Sequence, residues 1–166
     1  MKQLLENIKT RLSAKVPALS YIDENWGQLS MPNPPVKFPM VLTDIEEVQW
    51  SNQAKHLQSG IATVSIQLAD MKLGNTNRKA PDHQRNRAAH ILDIMSAIHA
   101  ALHGWAQQNS HGPMTRTSTR KLTRDDGIRL FDMTYTCQIV DDSAKQKTIL
   151  YPMTEEKIDL ETQIIQ

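Results

Sequence analysis

The sequence predicts an α+β fold: a two-layer sandwich in which about four mostly antiparallel strands carry two main helices on one face, in the order α-β-β-α-β-β. Three observations lead there. Segments 2–16 and 83–106 repeat apolar residues at three- and four-residue spacing. Segments 61–69 and 128–140 alternate apolar with polar residues, the mark of strands buried on one side. The Asp126-Gly127 step, a strong hairpin signal, joins the last two strand-like runs.

In the first helix Leu4, Leu5, Ile8, Leu12 and Val16 form one apolar stripe against a charged face, and Pro17 ends it. Residues 17–38 read as irregular, broken by Asn25, Gly27, Pro32, Pro34 and Pro35; a loop this long usually serves contact or function, with Tyr21, Ile22 and Trp26 as anchors or as partner-facing groups. From Pro39 to Trp50 the chain reads as a strand whose alternation breaks. Val41 and Ile45 share one face, whereas Met40, Leu42, Val48 and Trp50 fall with Asp44 and Glu46, and a bulge near Asp44 would swap the faces and repair the pattern. Ala62, Val64, Ile66 and Leu68 then mark a clean half-buried strand, paired with the preceding one through a short polar connection.

Residues 71–82 read as a polar loop with Asp82 as the N-cap of the second helix. Within 83–106, Ile91, Met95, Ile98, Leu102 and Trp105 fall in a sector of about 100°, joined by Ala88, Ile94 and Ala101 at its margins. The Thr-rich run 114–123 alternates polar with polar and so belongs at a sheet edge. The final strand sends Phe131, Met133, Tyr135, Cys137 and Ile139 to one side and Asp132, Thr134, Thr136 and Gln138 to the other. Residues 1–142 thus form a single domain, and 143–166 a C-terminal extension with apolar residues at Ile158, Leu160, Ile164 and Ile165, suited to an arm that contacts a neighbouring subunit.

A net charge of +1, 39% hydrophobic and 22% charged residues suit a globular chain and argue against a polyanion binder. The single cysteine, Cys137, excludes an internal disulfide and suits a reducing compartment. Charges scattered through the N-terminus argue against a signal peptide, and no run of about 18 apolar residues suggests a membrane span. No cofactor is implied: P-loop, GxGxxG, GxSxG and paired CxxC patterns are missing. Cys137 falls in the apolar register of its strand, where a thiol stays protonated, so no catalytic residue is assigned. His99 and His103, four apart on one helix face, are the weak candidates for a metal, needing a third ligand such as His111; an ordinary pair at the helix's wet margin explains them as well.

Charge distribution says more. Lys72, Arg78, Lys79, Arg85 and Arg87 make one basic segment, and Arg116, Arg120, Lys121 and Arg124 another. Asp23, Glu24, Asp44, Glu46 and Glu47 make an acidic one. These are either separate solvated faces or complementary patches on copies of one subunit. The candidate interface residues are therefore Lys72, Arg78, Lys79, Arg85, Arg87, Arg116, Arg120 and Lys121 against Asp44, Glu46 and Glu47. The basic segments lack aromatics for stacking on single strands, so no specific nucleic-acid partner is expected.

The N-terminal helix, the Pro-rich approach PNPPVKFPMVLTDIEEV, the strand GIATVSIQLAD, the helix RAAHILDIMSAIHAALHGW and the closing strand FDMTYTCQIVDD together resemble the tail terminator, or tail completion, proteins of long-tailed bacteriophages and prophages. The likeness covers roughly residues 1–142 and rests on element order. It implies a structural protein without an active site: a homo-oligomer, a hexameric ring, that caps the tail tube and meets the head-connector proteins. It implies no membrane, assembly in the host cytoplasm and a place in the virion. The same architecture also suits a small-molecule- or partner-binding module with an apolar pocket between helices and sheet, or a zinc-dependent enzyme built on His99 and His103.

Overall fold

The computed structural model describes residues 1–71 and 74–144. The chain runs α1 (Lys2–Lys15), β1 (Tyr21–Glu24), β2 (Met40–Ala54), β3 (Leu57–Met71), α2 (Asp82–Leu102), β4 (Thr115–Leu122) and β5 (Ile128–Asp141). Five strands form one sheet in the order β1-β2-β3-β5-β4, antiparallel except for the parallel β1–β2 pair. The α+β class and the one-sided helix layer are as the sequence predicts. The number of strands is one higher.

The extra strand corrects the reading of 17–38 as irregular throughout. Tyr21–Glu24 lies beside Met40–Thr43, and Gln28–Ser30 form a single 3-10 turn after it. Four residues are too few to show a period, and two of them are acids that seldom favour strands. Neighbouring hydrogen bonds rather than pattern create β1, including Ser20 N to the Pro39 carbonyl and Asn25 N to the Thr43 carbonyl.

One face of the sheet meets the helices. Val64, Ile66, Met133 and Tyr135 are fully buried there under Ile8 and Leu12 of α1 and Ile91, Ile94 and Ile98 of α2. Each such side chain contributes about 1.5–3 kcal/mol by leaving water. The bulge expected near Asp44 occurs between Ile45 and Glu47, and it brings Val48 onto the core face with Val41 and Ile45. Arg11 fastens α1 to α2, donating from Nε to the Ala101 carbonyl at 3.0 Å.

A second apolar cluster sits on the opposite face at one end of the sheet: Leu29, Met40, Leu42, Ala69 and Leu130, covered by Val36 and Phe38 of the long β1–β2 connection. This connection is therefore a cover for the sheet, held to the far hairpin by Arg124, whose Nη2 donates to the Leu29 carbonyl at 2.9 Å. Of its expected anchors Tyr21 packs on this cluster and Ile22 on the main core, while Trp26 is exposed.

Other boundaries shift for local reasons. The β2–β3 hairpin closes at Lys55 and His56, so both strands extend past the expected ends. Pro81, not Asp82, is the N-cap of α2; the Asp82 carboxylate pairs with Arg85 from the first turn, where the helix dipole favours an acid. The helix stops at Leu102 rather than at 106, because His103 is extended and Gly104 adopts φ 75°, sending its N–H to the Met114 carbonyl. Trp105 still packs on the core from beyond the helix end. The expectations for Lys72 and for the 143–166 extension past Ala144 lie outside the described residues.

Gly74 lies against the start of α2, where a Cβ would approach the Gln84 carbonyl oxygen at 2.7 Å and the Ala88 nitrogen at 2.8 Å. Both obstacles are helix backbone. Gly74→Ala is expected to cost about 1–3 kcal/mol through forced displacement, read as a lower urea midpoint at unchanged slope.

Candidate functional site

The functional candidates fall at the two edges of the sheet. β1 pairs with β2 only as far as Thr43, and among the described residues the outer edge of β2 from Asp44 to Ala54 has no strand beside it. At the opposite margin β4 presents its whole outer edge, and most of its residues are exposed, as its polar-on-polar alternation predicts. The first edge carries Asp44, Glu46 and Glu47, with Glu46 at the bulge; the second carries Arg116, Arg120 and Lys121. The sheet therefore separates the acidic and basic candidates to opposite sides.

How far these charges are already committed differs. Arg120 Nη2 meets the Asp132 carboxylate at 3.0 Å, and the other carboxylate oxygen accepts from Ser65 Oγ at 2.8 Å. Asp132 is buried on the face away from the helices, so its hydrogen bonds compensate lost hydration. The sequence had placed it only on the polar side of its strand. Among the described residues no ion pair involves Asp44, Glu46, Glu47, Arg116 or Lys121. Glu24, by contrast, is held by Lys9 at 3.0 Å, and the two carboxylates Glu6 and Glu24 around that ammonium raise its pKa. In the 74–87 segment, Arg85 donates to the Arg78 carbonyl as well as to Asp82, while Arg78, Lys79 and Arg87 are exposed.

The histidines pack as neighbours. The rings of His99 and His103 lie 4.7 Å apart, and His103 Nδ1 accepts from the Arg116 backbone N–H at 3.3 Å. His99 has its pKa lowered by burial first, then by the nearby positive charges of Arg116 and His103. A guanidinium beside the pair opposes a metal cation. His111, the suggested third ligand, is committed to other contacts: its ring meets Trp105 edge-on at 4.5 Å and Nδ1 lies 2.8 Å from the Gly112 carbonyl. Among the described residues no three His, Cys, Asp or Glu side chains are gathered as a metal ion requires. Cys137 is buried, and desolvation pushes its pKa up to about 11, leaving a protonated thiol. No helix among the described residues is long and apolar enough to cross a membrane. The space between helices and sheet is filled by the core cluster, and the larger grooves open at the surface, for instance between α1 and Leu19–Ile22.

No family model matches the sequence, and no curated protein matches it. Among solved structures, a chain described as "Virion of native gene transfer agent (GTA) particle" is similar with a TM-score of 0.56 at 11% identity, over 85% of this chain and 95% of that one. At that identity the likeness is one of fold.

Two outcomes follow from the site's geometry. Asp132→Ala removes the acceptor for both Ser65 and Arg120 and is expected to cost about 1–3 kcal/mol, read by urea unfolding; Lys121→Ala, on the exposed edge, is expected to stay within about 0.5 kcal/mol of the parent.

His111 supplies a pH dependence. A carbonyl can only accept, so Nδ1 carries the proton, while Nε2 is buried without a partner among the described residues. Burial lowers the pKa, with the Gly112 hydrogen bond a smaller opposing influence. The unfolded imidazole binds its proton near about pH 6.5, the folded one only at lower pH. Stability is therefore expected to fall as pH drops below that value and to be insensitive to this group above it. His99 acts in the same direction. Urea midpoints between about pH 7.5 and about pH 5.5 should decline, and less steeply in His111→Asn.

Proposed function

We propose that this protein is a structural component of a phage-like particle, a tail terminator whose copies close into a hexameric ring on the tail tube and meet the head connector. The observation that carries the reading is the opposite charge of the two open edges of one sheet. Contact between unlike patches is head-to-tail, and such contacts generate rings when the rotation closes. The basic edge of one copy (Arg116, Arg120, Lys121) meets the acidic edge of the next (Asp44, Glu46, Glu47), with Arg78, Lys79, Arg85 and Arg87 of the α2 approach as further basic contacts. The fold of a gene transfer agent virion chain supports the same reading, as does the order of elements that resembles tail terminators. In this role the chain is no enzyme, needs no cofactor and works in the host cytoplasm during assembly and then in the virion.

Sedimentation of the full chain tests this directly, with and without isolated tail tubes. The expected result is a hexamer that loosens as salt is raised. Glu46→Lys with Glu47→Lys makes both edges basic, and Arg116→Glu with Lys121→Glu makes both acidic. Each variant alone should associate at least about tenfold more weakly, whereas an equimolar mixture should recover a ring of alternating copies, possible because six is even. A chain that stays monomeric under all these conditions, or swaps without effect, would sink the proposal.

A further inference from the structure

The two open edges match in direction as well as in charge. β2 is antiparallel to β3, β3 to β5 and β5 to β4, so β2 and β4 run in opposite directions. A head-to-tail neighbour turned about an axis along the strands keeps every strand direction. Its β4 therefore arrives antiparallel to β2, the pairing that most of this sheet already uses. The stretch of β2 from Asp44 to Ala54, with no strand beside it among the described residues, is long enough to take all 8 residues of β4.

The main-chain groups are aimed to meet. Asn25 N–H reaches the Thr43 carbonyl from the β1 side, and Thr43 lies opposite Ile66 of the core face. The helix-side residues of β2 thus turn their N–H and C=O groups outward, and past the bulge these are Val48 and Trp50, opposite Ala62 and Gly60. In β4 the Arg116 N–H points away from β5, to His103 Nδ1, and Arg116 lies opposite Tyr135 of the core face. Thr119, opposite Met133, and Lys121, opposite Phe131, share that side and aim outward too. The acceptor edge is also aromatic. Trp26 (52% exposed) follows Asn25 where β1 parts from β2, and Trp50 (40% exposed) stands within the open stretch on the helix side. Tryptophan and arginine are the side chains most enriched at protein contacts.

We propose that β4 of one copy adds as a strand to the open stretch of β2 in the next, so that a single antiparallel sheet runs on from copy to copy. The inference rests on the proposed docking of unlike edges and supplies its main-chain contact. Charge selects the register. Val48 opposite Thr119 sets Glu47 opposite Arg120, brings Glu46 level with Lys121, and lays the Trp50 indole at the level of Arg116, within reach of a cation–π contact.

Amide hydrogen exchange of the full chain, quenched and read by fragmentation mass spectrometry, tests it in the assembled ring and in the chain dispersed by salt. The Val48 and Thr119 amides are expected to exchange at least about tenfold more slowly in the ring. Thr119→Pro keeps every charge and removes only an outward-facing donor, which an edge strand tolerates. It should leave the urea midpoint of the dispersed chain near that of the parent and weaken association at least about tenfold. Where that variant fails to fold, the exchange rates decide. A ring whose Val48 and Thr119 amides exchange as in the dispersed chain, or a folded Thr119→Pro chain that assembles as the parent does, overturns strand addition and leaves the charge-driven docking standing. A chain that never associates overturns both.

Discussion

The structure depends on one ladder, the antiparallel pairing of β3 with β5. Gln58 to Met71 lie opposite Asp141 to Ile128 without a slip. Because side chains alternate, this single register decides at once which residues face the helices and which do not. It sets Ala62, Val64, Ile66 and Leu68 beside Cys137, Tyr135, Met133 and Phe131 on the core face, and Ser65 and Asp132 together on the other. Shifting it by one residue would expose the first group and bury the Thr and Gln side chains of both strands. The strands are distant in sequence, with α2 and β4 between them, so the ladder also closes the domain.

From that ladder the two edges follow. β2 adds outside β3 by a two-residue hairpin, and β4 outside β5 by the turn at Arg124–Gly127. Arg124 holds this turn through its contact with Asp126, 2.5 Å away, and in return the carboxylate has its pKa lowered first by the guanidinium's hydrogen bond. Both strands that offer an open edge carry a register irregularity, between Ile45 and Glu47 where the open part of β2 begins and between Arg116 and Ser118 in β4. Bulges and charges are how natural sheets discourage indiscriminate edge pairing. On the proposed reading, opposite signs on the two edges favour one pairing, acidic with basic, and like edges repel. Protection and selectivity are thus served by the same residues.

Much of this was legible in the sequence wherever one strand or helix buries one side. The alternation at 61–69 and 128–140 and the stripe at 91–102 named the core residues directly, since burial and period coincide there. The bulge in β2 was legible from its broken alternation, to within a residue or two. β1 was not, because a four-residue parallel strand is created by its neighbour's free edge. Nor was the burial of Asp132, which depends on Ser65 and Arg120 arriving from two other strands. The candidate charges could be named but not placed. Strand order is a non-local property, and only the order β1-β2-β3-β5-β4 sends acids and bases to opposite margins.

The histidines mark the limit of reading chemistry from spacing. An i, i+4 pair guarantees proximity, and His99 and His103 are indeed in contact. Proximity does not choose between a cation site and a packed pair; the third neighbour does. Here that neighbour is Arg116, whose backbone N–H binds His103 and whose charge, after burial, holds His99 toward its neutral form. Arg116 belongs to the basic edge. On the proposed reading, Arg116 also docks a neighbouring copy, so the helix end and the edge strand form one electrostatic unit.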